Sequence, residues 1–420
     1  MRPCPETYAD SIQRLFPELC AAGRTVRTVT LQVTEDCNLR CSYCYQINKQ
    51  HDRMTFETAR EFLTLLLDDK VPGFTTETTA GLALEFIGGE PFMEIGLIDR
   101  VCGWLLEELL RRGHPWKHFV RFSFSTNGVL YFTPEVQAFL RRYQPWISLS
   151  VSVDGDRTLH DRCRVFPDGS GSYDMAVAAA KDWMRRSGDA STKATLSPEN
   201  IGYTARAVES LIEVGYRYIH INCVYEEGWT LKHARILYQQ MGKLNDWLFD
   251  TGLHEDVYIR LYDEDLFRPL PDTETQNFCG GTGEMLAVDW RGELYPCLRY
   301  MPSSLGDVKP LTIGRIRGGQ VEQTEAERRC LHCLKQVTRA SQSTKECMEC
   351  PIAAGCSWCS AYNYQCGDVD RRQTFICWMH KARALANYEF WSRYYRETGS
   401  GKKAVCYLKP EWIAALKEGM

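Results

Sequence analysis

The chain has 420 residues, 44% of them apolar and 25% charged, with a formal net charge of −4. That is ordinary for a water-soluble globular protein and excludes a strongly basic nucleic-acid binder. At about 150 residues per domain it suggests two to three domains. No run approaches the roughly 18 consecutive apolar residues that a membrane helix needs. The opening MRPCPETYAD has no basic segment followed by an apolar core, so no secretory signal is expected and a cytoplasmic protein is.

Between residues 25 and 225, short β-branched runs alternate with helical patterns. Strands are expected at 25–34, 82–87, 119–126, 147–153, 191–196 and 217–224. Amphipathic helices are expected at 55–70, 93–112, 134–142, 172–186 and 198–214. A βα alternation of this kind calls for a parallel sheet with helices outside it. Several strands read as near-continuous apolar runs, as in a sheet covered on both faces. The natural closure is an open or partial barrel, because a full eight-unit barrel takes about 250 residues and the pattern stops short.

After about residue 255 the texture changes. Residues 279–377 carry ten of the nineteen cysteines in loop-like sequence. Such a segment buries little apolar surface, so metal ligation is expected to hold it together. Residues 378–397, WMHKARALANYEFWSRYYRE, read as an aromatic-rich helix that packs across a domain seam. In a reducing compartment clustered cysteines read as metal ligands before disulfides; an exported disulfide protein is the competing reading.

The first cluster follows the first strand, in TEDCNLRCSYCY. Cys37, Cys41 and Cys44 sit on one tight loop at the carboxyl end of a parallel strand, where α/β folds place their sites. Three thiolates can hold three irons of a cubane, which ordinarily takes four cysteines. The missing fourth leaves an open position, as catalytic metal sites do. A zinc knuckle or three unrelated core thiols are the alternatives, but zinc sites usually use a CxxC pair plus a second pair or histidines, and no histidine lies within the triad, His51 being the nearest.

CxxxCxxC after the first strand, with Tyr43 before the last cysteine, resembles the radical AdoMet superfamily. The likeness continues in chain order through Gly88-Gly89-Glu90-Pro91, Ser125-Thr126-Asn127-Gly128, Ser152-Val153-Asp154-Gly155, His160-Asp161 with Arg164, and Asn222-Cys223-Val224. The resemblance implies AdoMet contacts from Tyr43, Gly88, Gly89, Glu90, Pro91, Ser125, Asn127, Ser152, Asp154, Arg164 and Val224. In it the GGEP segment meets the amino group, the serine and aspartate strand ends meet the ribose, and Arg164 meets the carboxylate. Glycines suit close backbone approach to a ligand, and a guanidinium suits a carboxylate.

The second array runs Cys279-x12-Gly292-x4-Cys297, then Cys347-x2-Cys350-x5-Cys356-x2-Cys359, then Cys377. It resembles the SPASM extension, with two residues where three usually separate the third and fourth cysteines of the block. That likeness implies an outer auxiliary [4Fe–4S] cluster on Cys347, Cys350, Cys356 and Cys377. It implies an inner one on Cys279, Cys297 and Cys359, which is one ligand short. The gap is either open to a substrate thiolate or filled by Cys366, Cys330 or Cys333. Cys330-Leu-His-Cys333 is an extra CxxC, read as a ligand pair, a redox pair or two idle thiols on an exposed helix. Cys4, Cys20, Cys102, Cys163, Cys223 and Cys406 have no ligand spacing and read as structural thiols.

The expected organisation is an N-terminal extension over 1–25, a partial (β/α)6 barrel over 26–255, a linker over 256–278, an auxiliary-cluster domain over 279–380, and a C-terminal helix and tail over 381–420. Across nearly the whole length the chain resembles peptide maturases of the CXXX-repeat target type, in segments such as LEFIGGEPFMEIGLID, STKATLS and MLAVDWRGELYPCLRY. The resemblance implies S-adenosyl-L-methionine and three [4Fe–4S] clusters as cofactors. It implies a thioether from a Cys sulfur to a carbon of a ribosomally made precursor peptide, with a flavodoxin or ferredoxin as electron donor and neither nucleic acid nor membrane as partner. A sulfatase-type Cys/Ser oxidase, a carbon–carbon crosslinking maturase and a non-catalytic electron-transfer scaffold are the other readings. Leu298 follows Cys297 where sulfatase-maturating enzymes carry an aspartate, which counts against the first. Barely 25 residues precede the first strand, so leader recognition is expected on another surface or a separate protein. No residue stands out as a general base; His220 and Glu226 lie near the sixth strand.

Overall fold

The computed structural model describes residues 14, 24–226, 228–274 and 279–418. Cys4 and Cys20 lie outside them. The six expected strands are present as β1 (Thr25–Gln32), β2 (Thr79–Ile87), β3 (Val120–Thr126), β4 (Ile147–Val151), β5 (Ser191–Leu196) and β6 (Tyr218–Cys223). The helices of the same stretch are α1 (Phe56–Leu67), α2 (Ile95–Arg111), α3 (Pro134–Tyr143), α4 (Arg157–Cys163), α5 (Tyr173–Ser187), α6 (Thr204–Val214) and α7 (Leu231–Asp250).

Two of these helices are additions to the expected set. α4 is short and starts where Asp156 accepts a hydrogen bond from the Leu159 amide. α7 is 20 residues long, opens on a Thr230 cap and buries Ala234, Leu237, Tyr238, Met241, Leu244 and Leu248. That spacing of three and four is plain in the sequence. α6 starts at Thr204, later than expected, because a tight turn at Ile201–Tyr203 precedes it.

β1 to β4 pair in parallel in sequence order, and β5 pairs in parallel with β6 and then with β7 (Tyr258–Ile259). No ladder joins β4 to β5, so the barrel wall is two sheets. Its strands are not apolar on both faces, as the sequence reading held. Val29, Leu31, Leu84, Phe86, Phe122, Phe124, Leu149, Ile219 and Ile221 point one way and are buried beneath the helices. The alternate residues form a polar inner row in register: Thr30 opposite Glu85, Glu85 opposite Ser123, Ser123 opposite Ser148, then Ser125 opposite Ser150 and Thr195 opposite Asn222. A hydrogen bond of 2.8 Å from the Thr30 hydroxyl to Glu85 lies in that row. The period is two, and the inner face lines a polar lumen instead of a second apolar layer.

The cysteine-rich part is laddered to the barrel. β8 (Met285–Val288) runs parallel to β1 on its free edge, pairing Thr28 with Met285 and Leu31 with Val288. β9 (Glu293–Tyr295), β10 (Gly314–Arg317) and β11 (Gln320–Glu322) extend the sheet antiparallel to an eight-stranded order of 11-10-9-8-1-2-3-4. α8 (Glu325–Gln336) carries Cys330 and Cys333. α9 (Cys377–Thr398) packs on α7: Phe249 meets Phe390 at 5.4 Å between ring centres, and Arg393 lies 4.3 Å from the Phe249 ring. This is the aromatic helix read from the sequence, and its partner is α7. No helix of the described residues is long and apolar enough to cross a membrane.

Candidate metal and cofactor centre

The loop after β1 brings Cys37, Cys41 and Cys44 together at the carboxyl end of the strands. The loop is held from below by Gly88 and Gly89. A Cβ at Gly88 would stand 2.7 Å from the Thr34 carbonyl oxygen, and one at Gly89 would strike the backbone of Asp36. The Glu90 amide donates to that same Asp36 carbonyl at 2.9 Å. The glycines were expected to admit a ligand; what they admit here is the backbone of the cysteine loop. On its far side the loop is tied to α4 and the residues after it, through Ser42 N to Cys163 O at 3.0 Å and Arg40 N to Val165 O at 2.7 Å.

Burial pushes the Cys37 thiol up to about 11 and raises that of Cys41, against which the Arg164 guanidinium works. Free thiols here would stay protonated at neutral pH, and a bound metal would remove their protons.

Glu90 is buried and braces two strand ends. It accepts from Phe92 N at 3.1 Å, Thr126 Oγ1 at 2.7 Å and Asn127 N at 2.8 Å. Pro91 opens the short helical turn that follows. The Asn127 side chain donates to Asn38 Oδ1 at 2.6 Å, linking the third strand end to the cysteine loop. Arg164 donates from Nε to Asp154 Oδ2 at 2.8 Å, and Tyr43 donates to the same carboxylate. The guanidinium also lies 5.3 Å from the Tyr43 ring centre. Glu90, Asn127, Asp154 and Arg164 therefore have internal partners, and the expectation of Arg164 on a ligand carboxylate meets a protein carboxylate in that place. Ser125 opens to the lumen, Ser152 and Val224 are half-buried at their strand ends, and the Val224 carbonyl accepts from Trp229 Nε1 at 2.9 Å.

In the second array, Cys279, Cys297 and Cys359 gather around Gly281. A Cβ there would lie 3.3 Å from Cys297 Sγ, 3.5 Å from Cys279 Sγ and 2.9 Å from Ser360 Oγ. Burial first, then Cys279 and Cys359, raise the Cys297 thiol. The buried Tyr300 hydroxyl lies beside Ser360, and Cys297, Cys279 and Cys359 all act on it. Cys333 and Cys366 are exposed, and the groups acting on Cys330 are Cys333 and Glu327. The helix that carries Cys330 and Cys333 packs on the Gly280–Thr282 turn.

Cys347, Cys350, Cys356 and Cys377 line one cavity of about 1000 Å³. Burial pushes Cys377 up to about 12, with Cys356 and Cys347 adding to it. Among the described residues no three Cys, His, Asp or Glu side chains close on one point as a single ion requires. Zinc would hold sulfurs at about 2.3 Å, whereas an iron–sulfur cluster spreads its cysteines over several irons. The all-cysteine donor chemistry of these groupings suits an iron–sulfur cluster.

Tyr45 and Arg299 connect the first loop to the inner set. Both Cys44 and Cys297 act on Tyr45, as does Glu85 of the lumen. Arg299 donates to Glu226 at 2.6 Å and is acted on by Cys359. Sequence reading passed over Tyr45, Arg299, Tyr300 and Ser360; the signal was their place within three residues of a ligand cysteine. Cys102 and Cys163 are buried and match the structural-thiol expectation.

No family model matches the chain. Its sequence is similar to the radical SAM cyclopropyl synthase TigE of Paramaledivibacter caminithermalis, 20% identical over 370 residues, covering 84% of this chain and 71% of that one. It is 23% identical over 352 residues to a serine-type anaerobic sulfatase-maturating enzyme of Bacteroides thetaiotaomicron, covering 76% and 79%. Among solved structures it resembles anSMEcpe with bound AdoMet, with a TM-score of 0.63, 18% identity, and 93% and 98% of the two chains covered. It also resembles Streptococcus suis SuiB bound to its precursor peptide SuiA, with a TM-score of 0.52, 13% identity, and 87% and 79% covered.

Proposed function

We propose that this radical AdoMet enzyme, with its SPASM-type C-terminal region, is a peptide maturase that joins a cysteine sulfur to a carbon of a ribosomally made precursor peptide. The observation that carries the reading is the inner set of Cys279, Cys297 and Cys359, three thiols that act on one another, with Cys333 and Cys366 exposed. It lies one tyrosine away from the loop of Cys37, Cys41 and Cys44.

S-adenosyl-L-methionine on a [4Fe–4S] cluster would supply 5′-deoxyadenosyl radical chemistry for hydrogen abstraction. Cys37, Cys41 and Cys44 would hold that cluster, and the outer and inner sets would hold two more. Ser125 and Ser152 present hydroxyls at successive strand ends, suited to ribose, and Val224 offers an apolar edge near the adenine position. Gly88, Gly89, Glu90 and Pro91 fix the height of the cysteine loop. Tyr43 and Asp154 hold Arg164 beside Cys41, where its charge suits a carboxylate of the cofactor once Asp154 shares it. The polar lumen row of Thr30, Glu85, Ser123 and Ser148 orients a peptide segment by hydrogen bonds. Cys279, Cys297 and Cys359 would hold a cluster with a position left for a substrate sulfur, whose thiolate form the cluster would favour.

Oxidation of a Cys or Ser side chain without crosslinking is the second reading, supported by the sulfatase-maturating relative. Leu298, apolar and next to Cys297, speaks against it. Anaerobic reaction of the reconstituted enzyme with AdoMet, dithionite and a Cys-rich CXXX-type peptide separates the two. A thioether product loses two hydrogens and one alkylatable thiol. If a peptide whose thiols are blocked beforehand still loses two hydrogens, the thioether reading fails.

A further inference from the structure

The two auxiliary cysteine sets have unlike electrostatic surroundings. At the outer set, Arg372 donates from its guanidinium to Cys356 Sγ at 2.8 Å and to the Cys356 carbonyl at 3.0 Å. Lys381 stands four residues after Cys377 on α9, hence on the same helix face. Its ammonium is held between the Trp378 and Trp412 rings, 4.2 and 4.1 Å from their centres, and both Cys377 and Cys350 act on it. Arg383 is buried on the same helix and acts on Cys356, and its Nε has no hydrogen-bond partner among the described residues. None of the three cations forms an ion pair with a carboxylate among the described residues. Asp265, Glu274, Glu346 and Glu349 line the cavity without pairing to them, and Glu411, which acts on Lys381, does not pair with it either.

The inner set is different. Its cation is Arg299, whose charge is offset by Glu226 at 2.6 Å.

A buried guanidinium with an orphaned N–H is costly unless an anion faces it. Four thiolates on an iron–sulfur cluster are such an anion. Hydrogen bonds to cluster sulfurs and net charge around a cluster set its potential. We infer that Arg372, Lys381 and Arg383 hold the outer auxiliary cluster at a higher reduction potential than the inner one, so that the outer cluster is the more readily reduced of the pair. The inference rests on the reading of both sets as cluster sites. Arg372 and Lys381 are positioning residues in this account; neither touches substrate.

The test is a potentiometric titration followed by electron paramagnetic resonance on the reconstituted enzyme, without peptide. Cys356→Ala identifies the signal of the outer cluster. Arg372→Gln and Lys381→Met are expected to keep the iron content of the parent and to lower the midpoint of that signal. The expected size is at least a tenfold change in the reduction equilibrium, about 59 mV for one electron. Arg372→Lys keeps the charge and is expected to restore most of the shift, which a merely structural role for Arg372 would not produce. An unmoved midpoint in both Arg372→Gln and Lys381→Met, at full iron content, overturns the inference. If Cys356→Ala leaves iron content and every signal unchanged, the outer cysteines hold no cluster; the inference then falls together with the cluster reading, and the iron assay shows that this is why.

Discussion

The guanidinium of Arg299 lies 5.0 Å from the centre of the Tyr45 ring. Tyr45 directly follows Cys44, and Arg299 stands two residues after Cys297, so this one stacking contact joins the first cysteine loop to the inner auxiliary set. A cation over an aromatic face contributes about 0.5–2 kcal/mol depending on its exposure. On the proposed reading, the pair would fix the spacing between the two cysteine sets. Arg299→Met is expected to leave AdoMet cleavage in the absence of peptide near the parent rate and to lower crosslinked product. Deoxyadenosine and product, quantified in the same reaction, separate these effects.

Replacing Cys37, Cys41 or Cys44 with Ala is expected to abolish AdoMet cleavage. Cys279→Ala is expected to retain abortive cleavage and lose product. Since cluster loss can unfold the region it supports, solubility and circular dichroism accompany the assay. Retained product in Cys279→Ala would count against a working inner cluster.

Gly89→Ala tests the seat of the cysteine loop. The new methyl meets the backbone of Asp36 and the Cys37 Cβ, and backbone has little room to give. Overpacking of this kind costs about 1–3 kcal/mol. A displacement of about 1 Å at a reacting centre costs on the order of 100-fold in rate. Thermal denaturation and deoxyadenosine release are expected to show both losses. A variant with parent activity would mean that the loop is not seated by Gly89.

Glu90→Ala removes the acceptor for three donors at the ends of β2 and β3. Each buried donor left without a partner costs about 1–3 kcal/mol. Chemical denaturation is expected to show a loss of at least that size, larger than for Ser125→Ala, whose side chain is exposed to the lumen.

His160 supplies a pH dependence. It is fully buried, and burial first, then Arg164, lowers it from the ordinary value near 6.5 to about 4. Its Nδ1 accepts from the Asp154 amide at 3.4 Å, and Nε2 lies 3.0 Å from Ser172 Oγ, which donates to the Arg164 carbonyl. That arrangement suits the neutral ring with its proton on Nε2. Below about pH 6.5 the unfolded chain takes up a proton that the folded one refuses. The contribution of His160 to stability is therefore complete above 6.5 and drains away as the pH falls toward 4. Melting temperatures at pH 7 and 5 are expected to differ less in His160→Gln than in the parent. An equal drop in both would remove His160 from the account.

The parallel strands and the first cysteine loop were legible because β-branched runs and CxxxCxxC are local signals. The polar inner row was also written in the sequence, in ISLSV and YIHINC, but its period of two is easily taken for a continuous apolar run when serines and threonines are read as neutral. α7 was passed over although its apolar spacing is regular. The pairing of β8 with β1 was out of reach, since it joins residues more than 250 positions apart and leaves no local mark. The sequence read Glu90 at the end of the second strand and Arg164 in the segment after the fourth, but their internal partners Thr126 and Asp154 depend on how those segments meet in space. The inner and outer cysteine sets came from spacing and family likeness. The three cations of the outer set came only from the fold.

The most direct test of the maturase reading follows one hydrogen atom. The reconstituted enzyme would be given AdoMet, dithionite and a Cys-containing precursor peptide deuterated at the carbons of its non-cysteine residues. Mass spectrometry of the released 5′-deoxyadenosine then reports where its new hydrogen came from. The account predicts deuterium in the deoxyadenosine, matched mole for mole by a peptide that has lost one deuterium and one free thiol. Deoxyadenosine without deuterium, formed alongside a fully modified peptide, would contradict it.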